Sequence, residues 1–464
     1  MKSLAYITTF FLFVSFLSSC QNSSEKKVKP NIIFLLADDM RYDAMGCVGN
    51  TIIKTPNLDN LAKEGVRFKN SFVTTSICCM SRVSIFTGQY SEKHGIKDFI
   101  TPLSDTAFAN IYPMILKRNG YRVGFIGKYG IGEHHLGSVP SHFDYFYGSA
   151  EQPRYENTDE NGEYIHYTDI VNNKVNEFLD SVSATQPFCL QVSFKAPHVQ
   201  DGDMRQFIYN PRFAGLYAND SIPLVETNTE ADWEAYPEYF KAGNEARKRW
   251  EWRFSTPAKY QESVRSYYRL ITGLDEVVGN LRERLQREGL AENTIIVFFS
   301  DNGFFLGEHG MAGKWYAHEE SMRVPFIIYN PGNKDKAGTV LPQFALNVDI
   351  APTILEYAGA NIPDEMQGKS LISLMESDED VPWRNDFFYS HMLTQYESLR
   401  PNQAIRTDRF KYISYPESKP LYEEFYDLKS DPKETKNLIN NTDYQQQLTR
   451  IKRRFSELKE LALK

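Results

Sequence analysis

Two pairs of oxygen-bearing residues stand out, each directly after an apolar run: Asp38-Asp39 after 31–37, and Asp301-Asn302 after 294–299. If those runs are neighbouring strands, four hard oxygen donors meet with no His or Cys among them, a set that suits Ca²⁺ or Mg²⁺. An acidic pair after a single strand serves as often to cap a helix, so the metal reading rests on the two pairs converging. A second group is Cys78-Cys79-Met80-Ser81-Arg82, at the start of a helix-like stretch over 81–87. A helix start presents free N–H groups and a positive dipole end, and Arg82 adds a planar fork of donors, so the place suits an oxyanion. Taken without Ser81 and Arg82, Cys78 and Cys79 read better as two buried thiols. Lys128 closes the apolar run 121–126, and His198 follows the run 188–194.

The elements that must position these residues follow from the same runs. Continuous apolar segments of six or seven residues, bounded by polar residues, suit strands buried on both faces. Each ends where the chemically able side chains begin, and in open α/β sheets ligands collect at the carboxyl ends of parallel strands. Helical patterns lie between them at 57–64, 81–87, 107–118 and 260–288. The alternation predicts an α/β sandwich with a large, mostly parallel sheet flanked by helices. The stretch 200–252 has weak periodicity and carries Trp233, Trp250 and Trp252 among charged residues. It reads as an insertion at the rim of the site, either a sugar platform or a packed insertion. Short strand patterns at 387–389 and 410–415 and a closing helix at 444–461 predict a small α+β subdomain, giving 30–346 as the catalytic domain and 347–464 as the subdomain.

The segment from Ser76 through Cys78, Ser81 and Arg82 to Thr87-Gly88-Gln89-Tyr90 resembles the signature of the type I, formylglycine-dependent sulfatases, whose core is Cys-x-Pro-Ser-Arg followed by a helix and Thr-Gly-x-Tyr. The resemblance covers nearly the whole mature chain: 30–39 is similar to the family's opening strand, 55–62 to its first helix, and 300–314 to its C-terminal motif. It implies an alkaline-phosphatase-like fold, oxidation of Cys78 to formylglycine by a maturating enzyme, and attack of the hydrated aldehyde on sulfur. It further implies Asp38, Asp39, Asp301 and Asn302, with the modified Cys78, as ligands of Ca²⁺, or of Mg²⁺. Arg82, Lys128, His198 and Lys314 are implied around the sulfate, with His198 or Lys314 protonating the leaving oxygen. His309, His391 and Arg406 are candidates for contact with the rest of the substrate. The chain departs from the pattern at Met80, where the family has Pro or Ala, and at Gly130, where many members have His; His134 or His135 could stand in for the latter. The function implied is hydrolysis of sulfate esters on a polysaccharide or its oligosaccharides. Two alternatives are a phosphonate or phosphate monoester hydrolase of the same fold, and an inactive surface glycan-binding protein.

Composition narrows the setting. The 464 residues are 41% hydrophobic and carry 52 basic against 60 acidic residues, so a large core is available while the net charge of -8 excludes a general nucleic-acid binder. Residues 1–19 have a basic start and an apolar run too short to span a bilayer, and Leu17-Ser18-Ser19-Cys20 resembles a bacterial lipobox. The expectation is a lipoprotein signal peptide, lipidation of Cys20, a polar tether over 20–29, and an enzyme anchored to a bacterial envelope membrane. With only five cysteines and one assigned to lipid, no disulfide framework is expected.

Overall fold

The computed structural model describes residues 28–464, apart from 133, 134, 184, 378, 394 and 397. The signal peptide, the lipobox with Cys20 and most of the tether therefore lie outside the described residues, as does His134. Eight strands form the main sheet: β1 (Asn31–Asp38), β2 (Val66–Phe72), β3 (Arg122–Lys128), β4 (Tyr145–Ser149), β5 (Phe188–Pro197), β6 (Thr294–Ser300), β7 (Phe326–Tyr329) and β8 (Thr339–Leu346). Their spatial order is β8-β2-β7-β6-β1-β5-β3-β4, and every pairing is parallel except those of β7. In β1 all eight residues are buried, because successive side chains enter two different cores. Ile33, Leu35 and Ala37 pack on one face of the sheet, and Ile32, Phe34 and Leu36 on the other.

Helices cover both faces. On the first lie α1 (Pro56–Glu64), α4 (Tyr167–Asp180) and the long α6 (Pro257–Arg287); on the second lie α2 (Cys78–Thr87), α3 (Tyr112–Arg118) and α7 (Ile350–Tyr357). The single helix expected over 107–118 is two, Asp105–Ala109 and then α3. The break falls just ahead of Pro113, which lacks an N–H and so sits in the first turn of the second helix.

A second sheet carries four antiparallel strands, β9 (Asp386–His391), β10 (Asn402–Thr407), β11 (Phe410–Tyr415) and β12 (Tyr422–Asp427), in sequential order. The helix α8 (Gln445–Leu463) packs on it through Leu448 and Ile451. The helix α7, beyond the boundary read near 347, sends Ile350, Ile354 and Leu355 into the core of the main sheet. Within 200–252 the chain forms short helical turns ending in α5 (Glu245–Arg253).

Candidate active site

The adjacent strands β6, β1, β5 and β3 end side by side, which sets Asp301-Asn302, Asp38-Asp39, His198 and Lys128 in a row along the carboxyl edge of the sheet. Consecutive strand residues point to opposite faces, so two neighbouring carboxylates cannot both serve one spot in extended backbone. Asp39 resolves this by adopting the left-handed conformation, φ 68°, uncommon outside glycine. The Oδ atoms of Asp38, Asp39 and Asp301 lie within 4.8 Å of one another.

From above, α2 points its start at the same place. Cys78 opens the helix, Ile77 before it supplies no side-chain cap, and Arg82 stands four residues on, on the same face. The first-turn N–H groups are thus left for another acceptor. Arg82 donates from Nε to Asp301 (2.9 Å) and from Nη1 to the Lys128 carbonyl, while its Nη2, 3.6 Å from Asp38, has no hydrogen-bond partner. Lys128 Nζ donates to Asp38 at 2.7 Å. Lys314, just past a two-residue strand, donates to Asp39 and lies 3.3 Å from the Cys78 sulfur. His198 hydrogen-bonds through Nδ1 to the Val199 carbonyl (2.7 Å), and its Nε2 stands 3.6 Å from Asp39.

Every one of these groups is at least 95% buried, so their charges act at full strength. Burial alone would lift the Asp38 carboxyl, but Lys128, His198, Arg82 and Lys314 hold it well below the usual range. Burial, reinforced by Asp38, pushes Asp301 up to about 6 against the pull of Arg82 and Lys128. Burial pushes the Cys78 thiol up to about 11, since Lys128 and Lys314 offset only part of it, and lowers His198 to about 4.

The donor set fits a hard divalent cation. Two buried oxygens in the cluster, Asp38 Oδ1 and Asn302 Oδ1, have no hydrogen-bond partner, a costly state unless something else takes their lone pairs. Three carboxylates are matched by three cations, Arg82, Lys128 and Lys314, so a divalent ion leaves net positive charge for an anionic substrate.

Cys78, Lys128, His198 and Lys314 open into a pocket of about 490 Å³. The sequence reading missed several of its wall residues, among them Gln152, Asp201, Glu245, Arg249 and Trp315. Glu245, Arg249 and Trp252 are spaced by four and three, a helical face that the sequence does carry. Of the three tryptophans of 200–252, Trp233 and Trp250 are core residues at 5% and 8% exposure, and Trp252 alone lines the pocket.

Three candidates for substrate contact stand elsewhere. His309 is buried against His318 and Phe305, His391 ends β9 with no exposure, and Arg406 pairs with Glu319 at 3.0 Å. None of them lines the pocket: His309 sits in a tight turn packed on His318, Arg406 on β10 is held by Glu319, and His391 is enclosed at the end of β9. Gly130 is in the left-handed conformation, and a Cβ there would stand 3.1 Å from Lys128 Cε and 3.4 Å from Arg82 Cδ. A side chain at 130 would be strained by the left-handed backbone and would press on the Lys128 stem, so glycine fits this geometry. His135 is exposed and lines a different cavity.

Residues 30–360 match the sulfatase family, and residues 307–461 match the family described as N-sulphoglucosamine sulphohydrolase, C-terminal. The chain belongs to the sulfatase family, and it is a sulfuric ester hydrolase with the alkaline-phosphatase-like sandwich expected of one. It is 31% identical over 494 residues to the N-acetylglucosamine-6-O-sulfatase of Bacteroides thetaiotaomicron, spanning 92% of this chain and 86% of that protein. It is 29% identical over 468 residues to the arylsulfatase of Clostridium perfringens, spanning 92% and 93%. Among solved structures it is similar, with TM-score 0.82 and 28% identity, to a protein in complex with its substrate D-glucosamine-2-N,6-O-disulfate, spanning 94% of this chain and 98% of that one. The phosphonate monoester hydrolase of Agrobacterium radiobacter, with TM-score 0.77 and 22% identity over 94% and 96% of the chains, shares the fold.

Proposed function

We propose that this protein hydrolyses sulfate esters on carbohydrates, with Cys78 as the residue a maturating enzyme converts to formylglycine. The observation that carries the reading is the buried Cys78 at the uncapped start of α2, with Lys128, His198 and Lys314 in one pocket above three clustered carboxylates. As a thiol pushed up to about 11, Cys78 is a poor nucleophile near pH 7, which favours an oxidised form as the working group. Formylglycine at 78 supplies a hydrated aldehyde as nucleophile. Asp38, Asp39, Asp301 and Asn302, with the modified residue, hold Ca²⁺ or Mg²⁺, which supplies Lewis-acid polarisation of the sulfate.

The side chains of the chain itself do the rest. Arg82, Lys128 and Lys314 neutralise the sulfate oxygens and fix its orientation. Lys314, held above its usual range by Asp39 despite burial, carries a proton for the departing sugar oxygen; His198, lowered to about 4 by burial, can carry one at Nε2 only once the charge of a bound sulfate ester raises it. The relatives named above, acting on N-acetylglucosamine and D-glucosamine sulfates, support a carbohydrate substrate.

Peptide mass spectrometry of the Cys78 segment from native-host protein is expected to find formylglycine; an unmodified thiol in active protein would remove the nucleophile. The Asp301→Ala protein is expected to lose bound metal by elemental analysis together with turnover, and an active, metal-free variant would refute the metal assignment. Faster turnover of aryl phosphonate than of any sulfate ester would move the reading to a phosphonate hydrolase. We further propose lipid anchoring at Cys20 in a bacterial envelope membrane, supported by Leu17-Ser18-Ser19-Cys20. Labelling with an alkynyl palmitate is expected to mark the wild type and not Cys20→Ala. Among the described residues, no helix is long and apolar enough to cross a membrane.

A further inference from the structure

The helix α5 has two faces. Ala246, Trp250 and Arg253 are buried, while Glu245, Arg249 and Trp252 look into the pocket that holds Cys78. Spacings of four and three put the second set on one stripe, one residue ahead of which lies the packed stripe, so the core contact fixes how the pocket stripe is presented. Trp252 is 54% exposed, whereas Trp233, Trp250 and Trp315 are at 8% or less. An indole held bare at a pocket mouth costs apolar exposure and offers a flat surface for the C–H face of a sugar ring.

Arg249 is held from three sides. Its Nε donates to Glu245 Oε1 at 2.8 Å, its Nη1 lies 3.6 Å from Asp201 Oδ1, and the guanidinium sits 5.1 Å over the Trp315 ring. Held in this way the fork has little rotamer freedom left to lose on binding, and the carboxylates keep acceptor positions open. The charges here also close: Asp201 and Glu245 are opposed by Arg249 and by the buried Arg253, which feels both carboxylates. Among the described residues, the rim therefore offers matched donors and acceptors with no surplus cation for a second anion. That differs from the floor, where Lys128 and Lys314 gather around Cys78.

Resting on the carbohydrate-sulfatase reading, we propose that Glu245, Arg249 and Trp252, with Asp201, form the specificity subsite for the sugar ring. Trp252 stacks on the ring, while Asp201, Glu245 and Arg249 hydrogen-bond its hydroxyl or acetamido groups. The subsite selects a sugar that is uncharged apart from the scissile sulfate over the same sugar bearing a second sulfate. A second anion at this rim meets Asp201 or Glu245, a like-charge contact that works against it.

The test uses the mature enzyme with monosulfated esters of N-acetylglucosamine and galactose, their disulfated counterparts, and 4-nitrophenyl sulfate. For the sugar turned over, kcat/KM is expected to favour the monosulfated ester by about tenfold or more, as a like-charge penalty of this kind predicts. The double variant Asp201→Asn with Glu245→Gln leaves Arg249 uncompensated and is expected to erase or reverse that preference. Trp252→Ala, at an exposed position, is expected to leave the melting curve unchanged and to raise KM for the sugar about tenfold while kcat holds. An equal or reversed preference in the wild type, an unmoved preference in the double variant, or an unmoved KM in Trp252→Ala overturns the subsite while the carbohydrate reading stands. Turnover of 4-nitrophenyl sulfate with none of any carbohydrate sulfate overturns the carbohydrate reading itself.

Discussion

His198 presents its two ring nitrogens to different surroundings: Nδ1 is tied to the Val199 carbonyl, and Nε2 faces the carboxylate cluster. A ring so anchored keeps its N–H on Nδ1, and burial, which lowers it to about 4, leaves Nε2 without a proton at neutral pH. Under the proposed mechanism Nε2 takes up a proton when the negative charge of a bound sulfate ester raises the ring, and passes it to the oxygen that leaves. The chemistry gives a test of that role. A 4-nitrophenolate leaves well without protonation and a sugar alkoxide does not, so His198→Ala is expected to lose about 100-fold or more in kcat on a carbohydrate sulfate and far less on 4-nitrophenyl sulfate. Equal losses on both substrates would assign the residue to sulfate binding instead. Gly130 and Asp39 belong at this scale as well. Both adopt the left-handed backbone: at Gly130 that conformation and the nearby Lys128 stem suit a residue without Cβ, and at Asp39 it turns a second carboxylate back onto the first.

At the scale of elements, the start of α1 is held by a residue far away in sequence. Thr55 gives that helix no side-chain cap, and Asp275, in the middle of α6, accepts from the Leu58 N–H at 2.7 Å and the Asn57 N–H at 3.2 Å instead. The carboxylate thereby takes up two donors that α1 leaves open and locks two helices on one face of the sheet. Asp275→Ala is expected to cost about 2 to 3 kcal/mol in urea unfolding, with kcat/KM near wild type, since the residue is remote from the pocket walls. A cost below ~0.5 kcal/mol would mean that water replaces the cap. The helix α2 shows the opposite arrangement: its start is left uncapped where an anion is needed. Stability and function thus divide the helix starts between them.

For the molecule as a whole, the junction between the two sheets is a buried polar network. Arg406 and Lys411 each reach Glu319 at 3.0 Å, Lys411 reaches Glu434 at 2.6 Å, and Glu424 lies 3.6 Å from His318 Nε2 and accepts from the Tyr426 hydroxyl at 3.1 Å. This is where Arg406 acts, as a strut between sheets. Burial pushes Glu424 up from 4.5 to about 7 despite hydrogen bonds from Tyr422 and Tyr426. The folded chain then binds more protons than the unfolded one between those values, so this group's contribution falls as pH rises from 4.5 to 7. The loss amounts to about 3 kcal/mol at most. Glu424→Gln keeps an acceptor for the tyrosines and is expected to raise the melting temperature at pH 8 by several degrees while changing little at pH 4.5. An equal shift at both values would refute a proton-linked role.

The sequence by itself determined which chemically able residues end strand-like runs, and so which side chains meet at one sheet edge. Continuous apolar runs ending in Asp38-Asp39, Asp301-Asn302, Lys128 and His198 suit buried parallel strands, which end on one edge, and Cys78 with Arg82 four residues on sets one face of the helix above. The strand β2 and the edge strand β8 beside it escaped notice because their faces mix polar and apolar residues instead of forming a continuous apolar run. Strand neighbours, the side toward which a buried histidine turns, and whether a tryptophan is core or rim depend on contacts between residues far apart in the chain. Only the tertiary structure therefore set His309, His391 and Arg406 outside the pocket walls, buried Trp233 and Trp250, and left Trp252 bare in the same pocket wall as Arg249 and Asp201.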